Sequence, residues 1–344
     1  MSTPLRVLMI TSEWASDPGH TAHFIARQVR FLRAAGVDVD VFSFRGGRRP
    51  LRYLVAWARL RRRLTGNGQR YDLIHAQFGQ SGLLALPKRL PLVVTFRGDD
   101  LFGILGRDGR PTPAGRLLQW LSRRVARRAD AAILVSEHLK QYLSHAHPIA
   151  AHIVPSGLDL DLFRCIPRDE ARRHVGLPPD QRLILFVGDP ADPRKRYALA
   201  RQAMDVLNRT LPAELVIGWR VPHDKMPFYM NGCDALVFTS REEGSPNAVK
   251  EALACDLPVV SVAVADVPLR LRGIPGCEVC ADESPETIAA ALERTLRRQE
   301  RSGGRGRAAA SQLDERLLTH RVIDIYRSVL PGANGHQPPE RALV

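Results

Sequence analysis

Short apolar runs rich in Val, Ile and Leu recur along the chain, separated by longer stretches of helical periodicity. In the first half the runs are residues 6–11, 37–42, 73–76, 92–96, 131–135 and 153–154. Between several of them, residues 21–35, 51–64 and 114–128 carry apolar side chains every three or four positions. A strand buried on both faces reads as a continuous apolar run, and parallel neighbours need a helical crossover between them. The alternation therefore predicts a parallel sheet covered by helices on both faces. At Ser156-Gly157 the rhythm pauses, and a polar, proline-containing passage runs to Pro179. It then restarts, with strands expected at 183–187, 214–217, 235–238, 259–262 and 278–279 and helices at 196–208, 247–254 and 285–299. At about 150 residues per domain, 344 residues make two domains. The reading is α/β: two doubly wound Rossmann-like domains facing a cleft, residues 1–157 and 158–312. A helix at 313–330 packs back toward the first domain, and 331–344 form a disordered tail.

Composition narrows the class. Hydrophobic residues at 44% and charged residues at 25% suit a folded protein. No run of eighteen apolar residues occurs, so no segment is expected to span a bilayer. The opening MSTPLRVLMITSEW lacks a charged leader and a small-residue cleavage site, and reads as a first strand. Five scattered cysteines fit a reducing cytoplasm. Cys277 and Cys280 form one C-x-x-C with no second ligand pair nearby, which points to two reduced, buried thiols rather than zinc. A formal charge of +14 favours an anionic partner: nucleic acid, phospholipid surface or phosphorylated substrate. No known nucleic-acid motif occurs and the arginines fall mainly on helix faces, which argues against nucleic acid.

In open parallel sheets ligands bind beyond the carboxyl ends of the strands. The stretch SREEGSPNAVKEALACDLPVV, residues 240–260, follows the expected strand 235–238. Gly244 leaves room for a ligand to approach the backbone. Ser245 is expected as N-cap and Pro246 as first helical residue. Asn247 and Ala248 then present amides at the positive end of the helix, an anion site suited to a diphosphate. Glu251 lies one turn on from Asn247, where a carboxylate can accept from ribose hydroxyls. Glu243 flanks the other side of the phosphates.

This stretch resembles the E-x7-E signature of the retaining glycosyltransferases of family 4, which have the GT-B fold. Other motifs of that family are similar to YDLIHAQ (71–77), RGDD (97–100), ADAAILVS (129–136), VPSGLD (154–159) and LFVGDPADPRKR (185–196). The resemblance implies transfer, with retention, of a sugar from a nucleotide-diphosphate donor to a glycan, polysaccharide or lipid-linked acceptor. It implies no cofactor and no metal. Glu243 would contact the donor sugar and Glu251 the ribose. The amides from Gly244 through Ser245, Pro246, Asn247 and Ala248 would bind the diphosphate, and Lys195, with Arg196 beside it, would neutralise it. The family's arginine position holds Asp189 here, so that role passes to Arg194 or Arg196. The base would lie near residues 220–223. The family's phosphate-approaching loop corresponds to residues 13–20, where Gly19 stands alone instead of a double glycine. Arg97 replaces the family's histidine near the donor sugar. It either contacts a phosphate or acidic sugar, or pairs with Asp99 or Asp100. An epimerase or phosphorylase of the same architecture, and a non-catalytic sugar-nucleotide-binding partner, are the alternatives.

Residues 51–64 and 116–128 each combine apolar and tryptophan positions with clustered arginines, LRYLVAWARLRRRL and RLLQWLSRRVARR. That composition suits an interfacial helix on an anionic membrane. The enzyme is therefore expected to be cytoplasmic and peripheral at the inner membrane face.

Overall fold

The computed structural model describes residues 4–14, 23–47, 49–66, 71–104, 106, 110–143, 151–298 and 301–331. The chain divides into two compact units, Met1–Gly157 with Glu315–Val344, and Leu158–Asp314. Gly19 and the tail beyond Pro331 lie outside the described residues.

The first unit holds β1 (Arg6–Thr11), β2 (Asp38–Ser43), β3 (Leu73–Gln77), β4 (Leu92–Phe96), β5 (Ala131–Leu134) and β6 (Ala151–Ile153). They form one sheet in the order β2-β1-β3-β4-β5-β6, every pair parallel. Alternate side chains of β1 serve opposite faces, as strand geometry requires. Val7 and Met9 join Ile25, Val29 and Leu32 of helix His23–Ala34 and Leu318, Val322 and Ile325 of helix Glu315–Ser328. Leu8 and Ile10 join Ala56 and Leu60 of helix Pro50–Thr65 and Val125 and Ala126 of helix Pro113–Ala126.

The second unit holds β7 (Leu183–Val187), β8 (Glu214–Gly218), β9 (Ala235–Phe238), β10 (Val259–Ser261) and β11 (Glu278–Val279). Their order is β11-β10-β9-β7-β8, again all parallel. Helices Tyr197–Leu207, Asn247–Ala254 and Pro285–Arg297 contribute Ala203, Leu253 and Leu292 to its core.

Two helices lie in stretches that show no plain apolar period. The polar passage after Gly157 contains helix Arg168–Val175, closed by Gly176 in the left-handed conformation (φ 70°). Its periodicity is hidden because a buried face residue is Arg172. Arg172 Nε donates to Gly232 O (2.8 Å) and Nη1 to Pro178 O (2.8 Å). The Gly/Arg-rich stretch after Ser302 likewise contains helix Arg305–Ser311. There Arg307 Nη2 donates to Leu160 O at 2.9 Å, and Gly306 rests against Asp256 where a Cβ would meet Oδ1 at 3.1 Å.

Polar groups tie the returning helix Glu315–Ser328 into the first unit. Arg27 Nε donates to Glu315 Oε2 at 3.2 Å, with side chains 5% and 4% exposed. The His75 ring nitrogens lie 2.6 Å from Tyr326 Oη and 2.7 Å from Thr95 Oγ1. Removing one member of a buried ion pair strands the other charge. Glu315→Ala is therefore expected to lower unfolding stability by about 3–5 kcal/mol, and the Arg27→Leu/Glu315→Leu pair by less. Urea unfolding of the three proteins checks this; equal losses in the single and double variants would overturn it.

Burial, with Arg97 nearby, pulls His75 down to about 3. The unfolded chain then binds the extra proton first, so this histidine's contribution to stability falls as pH drops from about 6.5 to about 3. His75→Gln is expected to start less stable at neutral pH but to lose less on acidification. Urea midpoints between pH 7 and 4.5 measure it, and parallel slopes for both proteins would contradict it.

Candidate active site

The densest cluster of expected site residues lies in the second unit, at the carboxyl ends of β7 and β9. Strand pairing sets these ends side by side, and their loops are laced together. Arg241 N donates to Arg194 O (2.8 Å), and Thr239 Oγ1 to Lys195 O (2.8 Å). Gly188, at φ 146°, lets the lysine stem lie across it: a Cβ there would stand 3.1 Å from Lys195 Cγ. The Lys195 ammonium so directed donates to Glu243 Oε1 at 2.6 Å, with side chains 24% and 18% exposed. It also stands 5.9 Å from the Phe238 ring centroid. Lys195 and Glu243, 48 residues apart, thus form one charged pair.

The neighbouring arginines are engaged elsewhere. Arg196, at a left-handed φ of 50°, donates from Nε to Thr239 O (2.6 Å) and forks onto the Glu283 carboxylate. The arginine holds Glu283 below the usual carboxylate range. Arg194 turns back on Asp192, with Nη2 2.9 Å from Oδ2.

Helix Asn247–Ala254 has the expected bounds, but its cap falls one residue later than expected. Pro246 is its N-cap, with no side-chain cap bond. The Ser245 hydroxyl instead donates to Asp266 Oδ2 (2.9 Å), which also accepts from Arg270 Nε (2.8 Å). Proline at the cap leaves first-turn amides without a side-chain acceptor, the situation in which helix starts take up anions. Asn247 Oδ1 and Asp266 Oδ1 are buried without a donor among the described residues. One turn into the helix, Glu251 has a side chain 9% exposed and lies 3.5 Å from His223 Nε2, whose ring meets Phe163 edge-on at 5.3 Å. His223 falls in the segment expected near the base. Asp266 and Glu283 were not anticipated. Both follow strand ends, β10 and β11, so the carboxyl-end rule was the available signal.

Arg97 belongs to the first unit, in the loop after β4. Its Nη2 donates to Gln77 Oε1 (2.7 Å), its Nη1 to Ser156 Oγ (2.7 Å), and its guanidinium lies 4.4 Å from the Phe24 ring centroid. Burial lowers it to about 10, against the pull of Glu315 and Asp100. Its guanidinium pairs with neither Asp99 nor Asp100 among the described contacts; only its backbone amide reaches Asp100. Asp100 accepts from the backbone amides of Gly79 (2.9 Å), Gly98 (3.0 Å) and Arg97 (3.1 Å), and burial raises its carboxyl to about 6.

The five cysteines are free thiols. Burial pushes Cys280 up to about 11. Cys277 Sγ accepts from Val259 N at 3.4 Å. Among the described residues no group of three or more His, Cys, Asp and Glu is arranged to hold a metal.

Two doubly wound parallel sheets in one chain define the GT-B architecture of glycosyltransferases. Residues 6–162 match the model of Glycosyltransferase Family 4, and residues 179–298 that of the Glycosyl transferases group 1. The chain belongs to family 4 and is a glycosyltransferase. D-inositol 3-phosphate glycosyltransferase 1 of Catenulispora acidiphila is 28% identical over 77% of this chain and 74% of its own. The folds of sucrose-phosphate synthase from Thermosynechococcus elongatus (TM-score 0.76, 18% identity, 94% and 98% of the two chains) and Anabaena HepE in complex with UDP and glucose (TM-score 0.71, 15% identity, 94% and 100%) are similar.

Gly188→Ala is expected to destabilise the second unit by about 1–3 kcal/mol, because alanine is strained at this φ and its methyl meets the Lys195 stem. Gly176→Ala, at a helix end with open space around it, should cost about 1 kcal/mol. Thermal unfolding ranks the two; the reverse order would show that the lysine stem yields freely.

Proposed function

We propose that this glycosyltransferase is a retaining, metal-independent enzyme that takes its sugar from a nucleotide diphosphate. The observation that carries the reading is the 2.6 Å Lys195–Glu243 pair beside an uncapped helix start, with Glu251 one turn further in. The pair is electrically neutral as it stands. A diphosphate at the amides of Asn247 and Ala248 competes for the lysine ammonium. Glu243 is then released to accept a hydroxyl of the transferred sugar. Lys195 and the helix start carry the negative charge that grows on the departing diphosphate, the role a metal fills in other transferases. Glu251, beside His223, accepts from the ribose hydroxyls. The leaving phosphate takes the acceptor's proton on the face it vacates, which retains the anomeric configuration.

HepE was solved with UDP and glucose, so UDP is the first nucleotide to test. We take the acceptor to be a glycan or lipid-linked hydroxyl, reached from the cytoplasmic side of a membrane. Arg97, with its fork on Gln77 and Ser156, shapes the first-unit loop in this reading rather than binding phosphate.

Glu251→Ala is expected to weaken nucleoside diphosphate binding by about 1.5–3 kcal/mol, the worth of a charge-assisted hydrogen bond. Glu243→Ala should lower turnover far more than nucleotide affinity. Lys195→Ala should raise the donor KM and lower kcat together. Calorimetry with UDP, and release of nucleoside diphosphate from UDP-sugars, separate these effects. Equal affinity losses for both glutamates would sink the division of roles. Binding without any release would favour a non-catalytic partner, and interconversion of free sugars an epimerase.

A further inference from the structure

Helix Pro50–Thr65 is apolar on two opposite sides. Ala56 and Leu60 face the sheet, with Tyr53 and Leu64 packed beside them. Leu51, Leu54 and Val55 point away from it and are 68%, 60% and 52% exposed. The stripe that sequence periodicity draws through Leu51, Leu54, Trp57, Leu60 and Leu64 is thus divided between core and solvent. Packing on the sheet accounts for the first set and leaves the second unexplained. Helix Pro113–Ala126 repeats the arrangement: Val125 and Ala126 are buried, while Leu117 and Trp120 are each 56% exposed. Both helices rest on the same core and so cover the same side of the first unit's sheet. Ile104, 38% exposed, lies against Gly115 at the start of the second helix. Large apolar side chains scattered singly are ordinary, but a group on one side marks an interaction surface.

The charge around this group identifies the partner. Neither helix contains an Asp or Glu. Arg52, Arg59 and Arg62 are exposed on the first helix, and Arg116 and Arg124 on the second. Arg124 lies 5.8 Å from the Trp120 ring centroid and Arg61 5.3 Å from that of Trp57, so cation and indole share one level. Nucleic acid would satisfy the arginines but offers no apolar phase for Leu51, Leu54 and Val55. A neutral apolar partner would leave the arginines stranded. A bilayer with anionic headgroups over acyl chains satisfies both.

We propose that this side of the first unit, with helices Pro50–Thr65 and Pro113–Ala126 lying in the interface, docks reversibly on an anionic phospholipid membrane. Leucines, valine and Trp120 enter the headgroup–acyl boundary and the arginines meet the lipid phosphates. The assignment to the inner face of the membrane rests on the reading of the chain as a user of soluble nucleotide sugars; the docking itself does not.

The test is co-sedimentation of the full chain with phosphatidylglycerol-containing and pure phosphatidylcholine vesicles. Binding is expected to the first only and to fall steeply with salt. Leu51→Ser/Leu54→Ser/Leu117→Ser/Trp120→Ser, all at exposed positions, should weaken it about ten-fold or more. Arg52→Gln/Arg59→Gln/Arg62→Gln should weaken it about five-fold per arginine removed. Unchanged melting temperatures confirm that both variants remain folded. Absence of binding, equal binding to neutral vesicles, or full binding by the serine variant would overturn the proposal. Nucleoside diphosphate release without vesicles is measured on the same proteins. Release without vesicle binding defeats the docking alone; vesicle binding without release defeats the transfer reading alone.

Discussion

All strand pairs in both sheets run parallel, and the rest of the site follows from that constraint. Parallel strands have all their carboxyl ends on one edge, so every loop able to carry chemistry is delivered to the same side. Residues distant in sequence become neighbours whenever their strands are adjacent in the sheet. Lys195 follows β7 and Glu243 follows β9, and β7 pairs with β9 directly. No local interaction could bring them to 2.6 Å; the strand order does.

The strands were legible because burial on both faces writes a plain signal. Residues 92–96 and 183–187 were expected as strands, and β4 and β7 have those bounds. The sheet was readable because an alternating strand–helix chain has few ways to bury both faces. What stayed illegible was structure held by charged side chains. Arg172 is buried among carbonyl oxygens and makes its helix look like a polar loop. Arg307, half-buried, likewise turns its guanidinium onto backbone carbonyls near the end of the second unit. Hydropathy counts an arginine as outside, and these two turn inward because backbone acceptors receive their donors.

At the candidate site the position of these residues beyond strand ends was legible, and their partners were not. The loop between Glu243 and Glu251 was marked by its place after a strand. Periodicity could not say that Ser245 would abandon the helix for Asp266, since Asp266 comes from the next strand's loop. Nor could it say that Arg196 would be neutralised by Glu283 while Lys195 kept company with Glu243. Competition between nearby cations for nearby carboxylates is settled by tertiary distance alone. Arg97 follows the same logic, with its fork spent on Gln77 and Ser156.

The first unit is assembled from two separated stretches of chain, with the whole second unit lying between them in sequence. Its buried Arg27 waits for Glu315, and its buried His75 waits for Tyr326. A ribosome delivers these partners only after residues 158–314 have emerged. Domains generally fold in the order of synthesis. Here the order in which the two units are completed is inverted. The second unit, one continuous segment, has all its parts while the first still exposes the face that helix Glu315–Ser328 will cover. Timing during synthesis is thus written into the topology, and the last described helix acts as the closing element for residues made at the beginning.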